Sequence, residues 1–180
     1  MVFPILHACA AVVVTGGATG ATVAHDRRTT GTFIEDQAIE LKANQRIYSD
    51  KELHEQTHLN VISYNTVVLV TGEAPTEELR SRAIEIVRNV PKVKHIHNEI
   101  TIAAPSAMVS RSSDTLITAK VKTKLLTIKG FDGTRVKVVT ENGIVYLMGL
   151  LTREESDVAT DAARQVGGVQ KVVKLFQYIK

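Results

Sequence analysis

Asn65-Thr66-Val67-Val68-Leu69-Val70-Thr71-Gly72 and, 77 positions further on, Asn142-Gly143-Ile144-Val145-Tyr146-Leu147-Met148-Gly149 repeat one pattern. Each is a turn pair, then an apolar run, then a closing glycine. Self-similarity at a fixed spacing is the mark of a duplicated structural unit. Asn tolerates the positive φ of a tight hairpin turn, so each copy is expected to hold two antiparallel strands joined at that pair.

The same elements recur on either side. After each hairpin, Thr76 and Thr152 are N-cap residues, and Thr152 with Glu155 forms a capping box. Leu79, Ala83, Ile86 and Val90 give one helical apolar stripe; Ala159, Ala162 and Val166 give its counterpart. Third strands are expected over 93–102 and 169–179. Before each hairpin another helix shows its core face, as Ile39, Ala43 and Ile47 and then as Ile117, Val121 and Leu125. Each unit thus reads helix–strand–strand–helix–strand, an α+β fold with helices on one face of a three-stranded sheet. The expected division is a signal segment and flexible tether over 1–31, a first unit over 32–103, a linker over 104–113 and a second unit over 114–180.

Composition narrows the function. The chain has 180 residues, 44% hydrophobic and 4% aromatic with no Trp, so its cores must be aliphatic. No apolar run reaches the length of about 18 residues that a membrane-spanning helix needs. A single cysteine, Cys9, rules out a disulfide within the chain. The net charge of +3 conceals a split: residues 32–105 hold eight Lys/Arg against eleven Asp/Glu, and residues 106–180 hold twelve against seven. A basic second half beside an acidic first half points to one half meeting an anionic partner. Aromatics for base stacking are few and the first unit would repel phosphate, so nucleic acid is not expected.

At the N-terminus, Leu6-His7-Ala8-Cys9 resembles the lipobox of bacterial lipoproteins, in which cleavage precedes a cysteine that becomes acylated. Cys9 is the expected lipidation site; the alternative is an ordinary secretory signal cleaved after Ala24. Gly16-Gly17-Ala18-Thr19-Gly20 lacks both the spacing and the lysine of a phosphate loop and reads as tether.

His54-Glu55-Gln56-Thr57-His58 matches the zinc-peptidase pattern, whose chemistry needs both histidines on one face of a continuous helix. Here the motif spans the end of a helix and a strand starting near Leu59, so it reads as a polar loop. His95 and His97 alternate on the third strand, and a solvent-facing strand surface is expected for them. No catalytic residue, metal or cofactor is expected. The first helix of the second unit is more informative. Beside its core stripe, Leu116, Lys120 and Lys124 follow one another at i, i+4 and i+8, an apolar residue with two cations, as an interfacial helix presents. On spacing alone a solvated edge with snorkelling lysines fits as well as a lipid contact; the set expected at lipid, which the resemblance given below favours, is Leu116, Ile117, Lys120, Val121, Lys124 and Leu125.

The order of elements, with glycine closing the second strand, resembles the BON domain, a small module of bacterial envelope proteins. Asp26-Arg27-Arg28-Thr29-Thr30-Gly31, Asp114-Thr115, Val139-Thr140-Glu141-Asn142-Gly143 and Met148-Gly149-Leu150 are similar to the dual-BON outer-membrane lipoproteins of Gram-negative bacteria, the DolP (YraP) type. The resemblance covers residues 33–180. It implies a non-enzymatic lipoprotein on the periplasmic face of the outer membrane that binds anionic phospholipid through its second BON domain and helps maintain outer-membrane integrity. It departs from that family at Leu116, where an aromatic is expected in close members. The alternative is a periplasmic adaptor, soluble or anchored, that meets envelope protein partners through a sheet face or the linker.

Overall fold

A computed structural model describes residues 26–105 and 108–180, so Cys9, the lipobox and the glycine-rich tether lie outside the described residues. The first unit runs α1 (Thr30–Ser49), α2 (Lys51–Gln56), β1 (His58–Tyr64), β2 (Val67–Ala74), α3 (Glu77–Arg88) and β3 (His95–Ile102). The second runs α4 (Met108–Leu126), a 3-10 turn (Gly133–Arg135), β4 (Lys137–Glu141), β5 (Ile144–Leu151), α5 (Arg153–Arg164) and β6 (Lys171–Tyr178). In each sheet the second strand is central, antiparallel to the first and parallel to the third. The expected order of elements is therefore the observed one. The segment expected as linker, 104–113, includes the first turns of α4, which begins at Met108.

Local chemistry explains the punctuation. The Thr29 hydroxyl accepts from Thr32 N–H and starts α1. Asp50 ends α1 and caps α2, Thr76 caps α3, and the Thr152–Glu155 capping box opens α5. The inward stripe of α3 passes through Leu79, Ala83, Val87 and Val90, so Val87 rather than Ile86 completes it. Both hairpin pairs adopt positive φ, at Asn65 and Thr66 and at Asn142 and Gly143. A buried aspartate holds each turn. Asp36 of α1 accepts from Asn65 N–H (2.7 Å) and Thr66 N–H (2.8 Å), and Asp114 of α4 accepts from Asn142 N–H and Gly143 N–H, both at 2.8 Å. The closing glycines have a steric cause: a Cβ on Gly72 would overlap the His58 carbonyl, and one on Gly149 would sit 2.8 Å from the Arg135 carbonyl oxygen.

Three apolar clusters result. One fills the space between sheet and helices in the first unit, and a second does so in the other unit. The third joins the units: Ile62, Tyr64 and Leu69 of one sheet meet Val139, Tyr146, Met148 and Leu175 of the other. The two sheets thus pack through the faces their helices leave bare, giving layers helix–sheet–sheet–helix. The docking covers the sheet faces through which an adaptor would meet a partner and leaves that reading the linker. Of the solvent-facing histidine pair expected on the third strand only His97 is corrected: His95 and His97 lie in register with Val67 and Leu69 on the side turned toward the second unit. Their rings meet edge to face at 4.6 Å. His95 is exposed, whereas His97 is half-buried and its pKa is lowered, first by burial and then by His95.

Candidate lipid-contact surface

The sequence-predicted lipid set divides cleanly. Ile117, Val121 and Leu125 are buried in the second core, so they hold α4 in place and cannot touch a ligand. Their membership in the contact set is corrected on that ground: they occupy the inward third of the helix. Leu116 is 62% exposed, Lys120 is exposed and Lys124 is half-exposed. With Ala119, Thr123 and Thr127 these side chains form one open, shallow surface. Lys124 Nζ donates to Gln165 Oε1 (3.0 Å), and Thr118 on the inner flank donates to Thr140 of β4 (2.7 Å), so the helix is held at both margins. On the opposite flank, Lys122 and Leu126 (60% exposed) border a groove of about 380 Å³ that also takes in Phe33, Tyr64, Val136 and Lys137.

Chemically this surface offers ammonium groups beside aliphatic area, with no nucleophile–base pair and no convergent acid pair. His54 lies in α2 with its ring 4.1 Å from that of Tyr48, and His58 opens β1, so the zinc-peptidase pattern is split between a helix and a strand. No cluster of three or more metal-ligating side chains occurs among the described residues.

The seam between the units carries buried charge that no local pattern in the chain marks. Arg28, nearly buried, lies between Asp26 and Asp36 and stacks 4.0 Å over the Tyr64 ring. Burial works against both charged partners. Even so, the Arg28 guanidinium holds the Asp26 carboxyl below its ordinary range, and hydrogen bonds to Asp26 and Asp36 raise the pKa of Arg28. Burial, with Asp26 nearby, pushes the Tyr64 phenol up to about 12. Arg27 reaches past the first unit to Glu155 and to the Leu150 carbonyl (2.9 Å), and Arg135 joins it on Glu155 (2.9 Å). The tether expected over 1–31 is therefore fixed from Asp26 onward, because these ion pairs staple it across both units. Lys137 of β4 pairs with Glu40 of α1 at 2.9 Å. Deeper in the seam, Asn142 donates to Glu73 (2.6 Å) and Thr71 to Glu141 (3.2 Å). Burial, followed by the charge of Glu73, raises the Glu141 carboxyl to about 7.

The family model described as BON domain matches this chain twice, over residues 35–104 and 113–180. The chain is similar to Outer membrane lipoprotein DolP of Haemophilus influenzae, at 36% identity over 174 residues, which are 97% of this chain and 90% of that protein. It is also 36% identical over 155 residues to the 21 kDa hemolysin of Actinobacillus pleuropneumoniae, covering 86% of this chain and 80% of that one. Osmotically-inducible protein Y of Escherichia coli is 26% identical over 161 residues, with 88% and 80% covered.

Proposed function

The chain belongs to the BON-domain family as a two-domain member of the DolP type, and from this we propose that it is a non-enzymatic outer-membrane lipoprotein whose second unit binds anionic phospholipid. The observation that carries the reading is α4, which turns Leu116, Lys120 and Lys124 outward while its other face is locked in the core. Each lysine near an anionic surface contributes about 1 kcal/mol, and salt screens that attraction within about 10 Å at 0.1 M. Two lysines give weak, salt-sensitive attraction; Leu116 adds apolar insertion.

Maintenance of outer-membrane integrity follows as the role of such a contact. Cys9 supplies the anchor: a buried methylene contributes about 0.8 kcal/mol, so two or more acyl chains hold the protein firmly. The outer membrane named for the DolP relative and the lipobox resemblance support that address.

The test mixes the full chain, kept unacylated by Cys9→Ser, with vesicles of phosphatidylglycerol or of phosphatidylcholine alone. Binding is expected to favour the anionic vesicles, to weaken with salt and to fall sharply for Leu116→Glu and Lys120→Glu. Equal binding by all variants refutes the site. Intact mass of the mature protein checks Cys9 separately, and an unmodified cysteine refutes the anchor.

A further inference from the structure

Nine large hydrophobic side chains stand exposed among the described residues, and five of them lie on α1 and α4. On α1 these are Ile34 (62% exposed), Leu41 (70%) and Tyr48 (68%), spaced seven apart. A spacing of seven is nearly two helical turns, so the three form one continuous stripe along the helix. Isolated exposed apolar residues need no explanation, but a row of three spanning a helix marks a contact surface.

We infer that α1 is a second membrane-contacting element, so that both units meet the same bilayer surface through their first helices. The inference rests on the lipid reading of the second unit and extends it to the first. Three observations support it. Asp36 and Asp114 hold equivalent hairpins, which places Lys42 and Arg46 where α4 has Lys120 and Lys124, and Tyr48 where it has Leu126. The apolar stripe of α1 is thus flanked by exposed cations, as on α4, while nearby Glu35 faces Lys92 at 3.6 Å.

Second, the docked units bring the helices to one edge of the molecule. Phe33 near the start of α1 and Leu126 at the end of α4 line one groove; Tyr48 near the end of α1 and Arg111 near the start of α4 line another. The helices therefore run in opposite directions along the edge formed by β1 and β4, tied across it by Glu40 and Lys137. A surface that reaches Leu126 therefore borders the start of α1 at Phe33.

Third, area favours a bilayer over a second copy of the chain. The stripe offers roughly 400 Å² of side chain. Two copies would bury about twice that, below the roughly 1,200 Å² at which stable protein interfaces begin. A bilayer sets no such minimum, because α1, α4 and an anchor add their contributions on one molecule.

The experiment uses the full chain with Cys9→Ser and vesicles of phosphatidylethanolamine and phosphatidylglycerol. The protein has no Trp, so Tyr48→Trp supplies a single reporter. Its emission is expected to shift to the blue and to be quenched by brominated lipid. Leu41→Glu, with unchanged far-UV circular dichroism, is expected to lower vesicle affinity at least about tenfold. If Leu116→Glu abolishes binding while Leu41→Glu changes nothing and Trp emission stays unquenched, the inference fails and the second-unit reading stands. If neither variant matters, both fail together. A concentration-dependent dimer in sedimentation that Leu41→Glu dissolves overturns the inference, because the stripe then belongs to a second copy.

Discussion

Glu141 is the side chain whose titration should be felt most by the whole molecule. It is buried in the seam, facing Glu73 and Thr71 of the first unit and Asp114 and Arg111 of α4. Its carboxyl is raised to about 7 from an ordinary 4.5, with burial the largest cause and Glu73 the next. The folded state therefore holds a proton that the unfolded chain releases. Where the native state binds more protons, stability falls as pH rises. The contribution is complete below about 4.5 and is lost as pH climbs through about 7. A pKa difference of one is worth about 1.4 kcal/mol, so the change between these limits is on the order of 2–3 kcal/mol after allowance for solvent relaxation. Glu141→Gln reproduces the protonated acid in shape and still accepts from Thr71. Urea unfolding at pH 5, 6, 7 and 8 measures the effect, with near-UV circular dichroism reporting on Tyr64 and Tyr146 in the seam. The unmodified protein is expected to lose stability chiefly between pH 5 and 7 and to level off by pH 8, and Glu141→Gln to lose much less and to be the more stable of the two at pH 8. Parallel pH profiles for the two proteins would refute the reasoning.

Asp36→Ala removes an acceptor that serves Ser63, Asn65, Thr66 and Arg28, leaving Arg28 short of a partner, and is expected to cost about 3–5 kcal/mol by thermal or urea unfolding. Thr66 is a β-branched residue at φ 66°, where a side chain costs about 1–2 kcal/mol, so Thr66→Gly is expected to raise the melting temperature by a few degrees. Leu69→Ala opens the third core and is expected to cost about 2–5 kcal/mol, with loss of the near-UV signal preceding loss of helix. His54→Ala with His58→Ala is expected to leave vesicle binding unchanged, and a loss of binding together with released zinc would reverse that reading.

The duplicated unit, the order of its elements and, but for Val87 in place of Ile86, the inward faces of its helices were legible in the amino-acid pattern. Those features are local: turn pairs need positive φ, apolar residues recur at the helical period, and caps satisfy free N–H groups within a few residues. Leu116, Lys120 and Lys124 were legible for the same reason, because helical spacing alone sets them beside the core stripe. The stripe of Ile34, Leu41 and Tyr48 was written in the same period, but at seven-residue steps among polar neighbours its exposure does not stand out without a surface. Ile117, Val121 and Leu125 show the reverse limit: periodicity marked them as core, the lipid set took them in as well, and their burial removes them from that set.

The meeting of the two sheets was not legible in that pattern. Whether a half-apolar sheet face meets water, a partner or its own repeat depends on contacts about 70 or more residues apart, such as Thr71 with Glu141 and Glu73 with Asn142. The same long-range docking turns Asp26, Arg27 and Arg28 from an apparent tether into a staple, and raises Glu141 by burial. It also sets α1 and α4 along one edge. Charge, burial and shared direction at that edge are properties of two units held together, and neither unit's sequence contains them.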